Sequence, residues 1–134
     1  MRNAVSALSN ALDLVDNTAW FDAQPQPVRD TLVAGTIQSV EFVYELSIKT
    51  MGRAMEVRAF SPSQVDHLGF RDMVRTAAEM GLVDDPRTWF EYRDMRNKTS
   101  HTYDEKKARE VLAKAPKLLA DARALLARID AANV

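Results

Sequence analysis

Arg96, His101 and Tyr103 are the residues of this chain whose types and spacing most readily suggest chemistry. They lie in the run Arg93-Asp94-Met95-Arg96-Asn97-Lys98-Thr99-Ser100-His101-Thr102-Tyr103, where one predicted helix ends and the next begins. Helix junctions gather free backbone donors and polar side chains. Arginine offers a rigid fork of donors that matches a phosphate. Histidine titrates near neutral pH and can take or give a proton. The pair suits RNA cleavage without a metal. The imidazole would remove the proton from a ribose 2′-hydroxyl, and the guanidinium would stabilise charge on the phosphorane. A second proton donor is then needed for the leaving 5′-oxygen. One His101 per chain leaves that role empty unless a second copy of the site faces the first. The competing role is structural, because Arg and His in a last helical turn interact favourably with the helix C-terminus. On residue chemistry alone the structural role is the weightier one.

The elements that must hold this junction read as all-α. Glycine is scarce, with 4 in 134 residues, and strand-like alternation is absent. A first helix is expected from about Arg2 to Phe21, ended by Pro25 and Pro27, since a residue before proline is pushed out of the α region. A long second helix is expected from about Val28 to Val57. Its stripe Val33, Ile37, Val40, Tyr44, Ile48, Met51 and Met55 recurs at steps of four and three. On the same helix Glu41, Glu45 and Lys49 follow one another at i, i+4, and read as a solvated or interface face. Glu45 and Lys49 have the favourable acid-before-base order.

Ser61-Pro62-Ser63 breaks the chain. A short helix from Gly69 to Met80 should stop at Gly81. Asp85 and Pro86 are a natural N-cap and first residue for the next helix, which carries Trp89, Phe90 and Tyr92 and should end near Asn97. Thr102 and Glu105 have the capping-box spacing for the last helix. Val111, Leu112, Ala115, Leu118, Leu119, Ala122, Leu125, Leu126 and Ile129 keep helical phase through Pro116, so a single kinked helix is expected. The architecture is an up-and-down antiparallel four-helix bundle with one additional short helix, in a single domain spanning 1–134.

The absence of cysteine excludes disulfides and thiolate metal sites. No Glu-x-x-His motif, glycine-rich phosphate loop or Ser-His-Asp arrangement is evident, so no cofactor and no metal are expected. No apolar run reaches membrane-spanning length, and the N-terminus lacks the apolar block of a signal peptide. A soluble cytoplasmic protein is the expectation. The net charge of −1 argues against broad nucleic-acid binding by the whole surface. Over 91–109, however, six cations outnumber four carboxylates, and two copies side by side would double that bias.

Arg96-Asn97-Lys98-Thr99-Ser100-His101-Thr102-Tyr103 resembles the signature of the HEPN superfamily. More narrowly it resembles the HepT branch, also called the nucleotidyltransferase substrate-binding protein family. The second-helix segment Ile37-Gln38-Ser39-Val40-Glu41-Phe42-Val43-Tyr44-Glu45-Leu46-Ser47-Ile48-Lys49 is similar as well, with Ile48 where tryptophan is expected. The resemblance covers about residues 28–130. It implies a helical bundle that forms a homodimer, with the two motifs meeting near the interface. It implies metal-independent endoribonuclease activity on RNA, with Arg96 and His101 as the catalytic pair and Asn97, Lys98 and Ser100 supporting the site. It implies a toxin–antitoxin pairing. A minimal (MNT-type) nucleotidyltransferase antitoxin would AMPylate Tyr103, bringing charge and bulk to a site built for RNA phosphate.

Two rival classes remain. One is a non-enzymatic substrate-binding subunit of the nucleotidyltransferase, and the other is a purely structural helical dimer. His67 reads as a surface or packing histidine. Trp89, Phe90 and Tyr92 read as core rather than a base-stacking platform, and Met51, Met55, Met73 and Met80 as core filler.

Overall fold

A computed structural model of the chain describes residues 1–58, 61–101 and 104–132. Four long helices dominate it: α1 (Arg2–Asp16), α3 (Gln26–Arg58), α6 (Pro86–Lys98) and α7 (Glu105–Ala132). Between them lie three shorter ones, α2 (Thr18–Asp22), α4 (Pro62–Asp66) and α5 (Phe70–Glu79). A 3₁₀ turn over Thr99–His101 follows α6 directly.

Cross-helix pairs set the directions. Arg2 at the start of α1 meets Asp130 near the end of α7. Tyr92 and Lys98 on α6 meet Asp121 and Glu110 on α7, in reversed order. Arg96 near the end of α6 reaches Glu45, midway along α3. The all-α up-and-down bundle expected from the sequence is therefore the fold. Its core contains Leu8, Ile37, Val40, Met51, Met55, Val74, Trp89, Tyr92, Val111 and Leu118. Two buried hydroxyls on α3 are satisfied within the helix: Thr36 donates to the Leu32 carbonyl and Ser47 to the Val43 carbonyl. They cost little desolvation for that reason.

Several boundaries differ from expectation. The first helix is two helices, because Asn17 leaves the helical region at ψ 80° and its side chain caps α2. Asparagine competes for backbone donors in this way. The Ser61-Pro62-Ser63 break opens a short helix, α4. Ser61 caps it, Gln64 completes a capping box, and the proline sits in the first turn. Asp85 caps α6 as expected, accepting from the Arg87 N–H at 2.9 Å. The capping box expected at Thr102 lies outside the described residues. α7 starts at Glu105, and Asp104 accepts from the Lys106 and Lys107 N–H groups at 3.0 and 3.3 Å. α7 continues as one helix through Pro116.

Gly81 ends α5 as the sequence suggested. Its N–H reaches the Ala78 carbonyl, and its φ of +77° turns the chain so that the Leu82 N–H reaches the Ala77 carbonyl. That pair of bonds is the Schellman arrangement, which glycine enters without a Cβ penalty.

α3 has two apolar faces. Ile37, Val40, Tyr44, Met51 and Met55 are buried, with Val33 and Ile48 packed at the margin. A second series, Val28, Leu32, Gly35, Ser39, Phe42 and Leu46, advances by four, three, four, three and four residues. It runs along the flank of the buried face, with Leu32, Ser39 and Leu46 half-buried and Val28 40 % and Phe42 50 % exposed. A stripe at this spacing matches the seam of a helix–helix pair.

Candidate functional site

The junction is built by three elements. α6 ends in Arg96, Asn97 and Lys98; the 3₁₀ turn carries Thr99, Ser100 and His101; and α3 passes alongside with Tyr44 and Glu45. The 3₁₀ turn follows α6 without an intervening loop, so Arg96 and His101 lie on successive turns of the chain.

Arg96 is the most constrained side chain there. Its Nε and Nη2 both donate to Glu45 Oε1, at 3.1 and 3.0 Å. Its Nη1 donates to Thr99 Oγ1 at 3.3 Å, and that hydroxyl donates in turn to the Arg96 carbonyl at 2.7 Å. Thr99 is buried. Two elements thus hold the guanidinium, which remains about one-third exposed at 32 %. The Tyr44 phenol lies buried near Arg93 and Arg96. Burial pushes its pKa up to about 12, and the two guanidiniums pull it back in part.

His101 closes the 3₁₀ turn and is half-buried, with its carbonyl accepting from the Asp104 N–H at 3.0 Å. Lys98 reaches the other way, to Glu110 on α7 at 2.9 Å. Its ammonium holds the Glu110 carboxyl below the usual range, through the hydrogen bond first and the charge second. Asn97 and Ser100 border solvent. Tyr103, the expected modification target, lies outside the described residues. Of the six residues singled out, then, Arg96 is held by Glu45 and Thr99, His101 closes the turn that follows, Asn97 and Ser100 are exposed, and Lys98 is engaged with α7.

Glu45 and Thr99 are site residues that the sequence does not single out. Its spacing places Glu45 on a solvated or interface stripe and offers Lys49 as a partner; in the structure Glu45 holds Arg96. The signal for it is a carboxylate placed one turn beyond Glu41 on the helix facing the motif, which does not by itself reveal a partner 51 residues away. His67 is exposed, with its Nδ1 2.6 Å from the Ser63 carbonyl in its own short helix. Trp89 and Tyr92 are core, packed edge to face with ring centroids 5.1 Å apart. Phe90 is half-buried and packs against Phe70.

A cavity of about 750 Å³ lies elsewhere. It opens between the first halves of α3 and α7, beside Phe21, Arg29, Asp30, Glu105 and Arg109, and neither Arg96 nor His101 lines it. Among the described residues no three His, Asp or Glu side chains converge as a metal site would require. No helix of the described residues is long and apolar enough to cross a membrane.

Comparison with known proteins adds an independent line. The family described as nucleotidyltransferase substrate binding protein like matches residues 1–131. A protein of Haemophilus influenzae described as a probable ribonuclease HepT is 42 % identical over 130 residues, covering 97 % of this chain and 89 % of that one. A solved structure, also from Haemophilus influenzae, is described as revealing the fold of a substrate-binding domain of a nucleotidyltransferase. It is 42 % identical, with a TM-score of 0.91, and the match covers 96 % of each chain. A Thermus thermophilus structure is 24 % identical with a TM-score of 0.68, covering 94 % of this chain and 98 % of that one; at that identity it speaks to the fold alone.

Proposed function

The chain belongs to the nucleotidyltransferase substrate-binding protein family, and from that premise we propose that it is a HepT-like endoribonuclease toxin, active as a homodimer and silenced by a partner nucleotidyltransferase. The observation that carries this reading is the state of Arg96. Glu45 and Thr99 fix its guanidinium at an accessible corner of the motif that also carries His101 five residues on, and pre-positioned donors of this kind are what phosphorane stabilisation needs.

In the proposed reaction His101 accepts the 2′-hydroxyl proton. The 2′-oxygen then bonds to phosphorus while Arg96 stabilises the added charge. The bond from phosphorus to the 5′-oxygen breaks, and that oxygen takes a proton from the His101 imidazolium of the second copy. The products are a 2′,3′-cyclic phosphate and a 5′-hydroxyl, with no metal needed.

The second apolar face of α3 supports two copies. Val28, Leu32, Phe42 and Leu46 form a stripe along the flank of α3, with Val28 and Phe42 exposed and Leu32 and Leu46 half-buried. Glu45 lies less than one turn from Phe42, so a second copy seated on this stripe would sit next to the Arg96 corner. Control of the nuclease would then come from transfer of AMP from ATP to the Tyr103 oxygen, releasing pyrophosphate.

The relative described as a nucleotidyltransferase substrate-binding domain favours a second reading, in which the chain is a non-catalytic subunit and the junction a docking surface. Purified protein incubated with RNA in EDTA separates the two. Cleavage that disappears in Arg96→Ala and in His101→Ala supports the nuclease; full cleavage by either variant removes that residue from the chemistry. Incubation with the partner nucleotidyltransferase and ATP tests control. AMP on Tyr103 with loss of cleavage fits the toxin, whereas a tight complex with unmodified Tyr103 and no cleavage fits the subunit.

A further inference from the structure

Beside the junction, α5 and α6 present arginines stacked on phenylalanines. The Phe70 and Phe90 rings lie 6.0 Å apart with planes tilted by 59°. The Arg71 guanidinium sits 4.6 Å from the centroid of Phe90, and Arg75 lies 5.7 Å from the same ring. Arg93 sits 4.5 Å from the centroid of Phe70. All three arginines are exposed. Arg93 is one turn before Arg96 on α6, and both guanidiniums act on the buried Tyr44 phenol, so the series is continuous with the Arg96 corner.

A guanidinium stacked on a ring is attracted by the ring face and loses rotamer freedom before any ligand arrives. The N–H groups at its edge stay open to a ligand, and these are the groups that fork onto a phosphate. No carboxylate pairs with Arg71 or Arg93 among the described residues, whereas Arg75 has Asp72 Oδ1 at 3.8 Å. Asp72 and Asp94 interrupt the positive surface, which leaves Arg71 and Arg93 as its strongest points.

We propose that Arg71 and Arg93, held on Phe90 and Phe70 with Arg75 beside them, form a phosphate track that leads single-stranded RNA to Arg96. The proposal rests on the ribonuclease reading above. Because arginines already occupy faces of both rings, the track grips the backbone rather than stacking bases, and its binding is tolerant of sequence. It also gives a chain of net charge −1 a local means of holding a polyanion.

The test measures binding of a labelled single-stranded oligoribonucleotide across a salt series, with His101→Ala as the parent so that the RNA stays intact. Each phosphate contact on a single strand contributes about 0.7 to the slope of log affinity against log salt. The double variant Arg71→Gln/Arg93→Gln is expected to bind about tenfold more weakly and to lose about 1.4 from that slope. Arg71→Lys/Arg93→Lys keeps the charges and should recover most of both. Arg2→Gln, at the far end of the bundle beside Asp130, should change neither. Binding by the parent with an unchanged slope in the Gln variant overturns the track and leaves the nuclease reading standing. Failure of the parent to bind RNA overturns both. A Lys variant as defective as the Gln variant overturns the phosphate role in favour of packing.

Discussion

Arg96 and Glu45 are joined by two nitrogens on one oxygen: Nε and Nη2 of the arginine lie 3.1 and 3.0 Å from Oε1 of the glutamate. The bond ties the end of α6 to the middle of α3. Both side chains are partly exposed, at 32 % and 47 %, so the pair is worth about 1 kcal/mol or less to stability. Its consequence is positional. Glu45→Ala should leave the melting temperature nearly unchanged and lower kcat on RNA by roughly 10- to 100-fold, the range expected when a reacting group drifts by about 1 Å. KM should move far less, and Glu45→Asp should restore part of kcat. Unchanged kcat in the alanine variant would show that Arg96 does not depend on its α3 partner.

Phe42 gives a test of the paired state. It is 50 % exposed on the flanking stripe of α3 and contributes little to the core. Phe42→Lys should leave helical content intact by circular dichroism. Light scattering should find monomer where the parent is a dimer, and cleavage should fall with the loss of the second His101. A monomeric parent, or a variant that remains dimeric, would remove the α3 stripe from the interface.

The buried phenols should be visible in alkali. Tyr44 ionises at about 12 rather than 10.0, chiefly because it is buried. Tyr92 is also raised, by burial first and by its hydrogen bond to Asp121 second. A raised acid pKa means that the folded state holds its proton more tightly than the unfolded state. The associated stability is complete below the unfolded value of 10.0 and is lost as pH rises towards about 12. Denaturation midpoints should therefore fall across that window, and should fall less in Tyr44→Phe. Tyrosinate absorbance rising fully near pH 10 in the folded protein would contradict the burial of these rings.

Two glycines should respond in opposite ways to alanine. Gly81 has φ +77°, where a Cβ is strained, so Gly81→Ala should destabilise by about 1–2 kcal/mol. Gly52 is inside α3, and an added Cβ would meet Val65 Cγ1 at an ordinary 3.7 Å. Gly52→Ala should be neutral or stabilising by up to about 1 kcal/mol. Thermal melts of the two variants provide the comparison.

Local chemistry makes much of this protein legible from its residues. The stop at Gly81, the cap at Asp85 and the inward stripe of α3 depend on neighbours within a few positions, and each is found where it is expected. The motif itself marks the junction. What the chain order conceals is cross-helix chemistry. Glu45 has a plausible partner four residues away in Lys49, and only the packing of α3 on α6 offers it Arg96 instead. Phe90 reads as core, yet its half-buried position on α6 makes it a platform for two arginines of α5. Asn17 displaces an expected boundary because its short polar side chain captures a backbone donor where periodicity alone would continue the helix.

The central claim is that Arg96 and His101 cleave RNA through its own 2′-hydroxyl, and the ends of the products test it most directly. An oligoribonucleotide cut in EDTA should give a 2′,3′-cyclic phosphate, or the monophosphate formed by its hydrolysis, together with a 5′-hydroxyl. A single 2′-deoxy substitution at the cleaved nucleotide should block the cut, as should His101→Ala. A 5′-phosphate product, or cutting that survives the 2′-deoxy substitution, would contradict it.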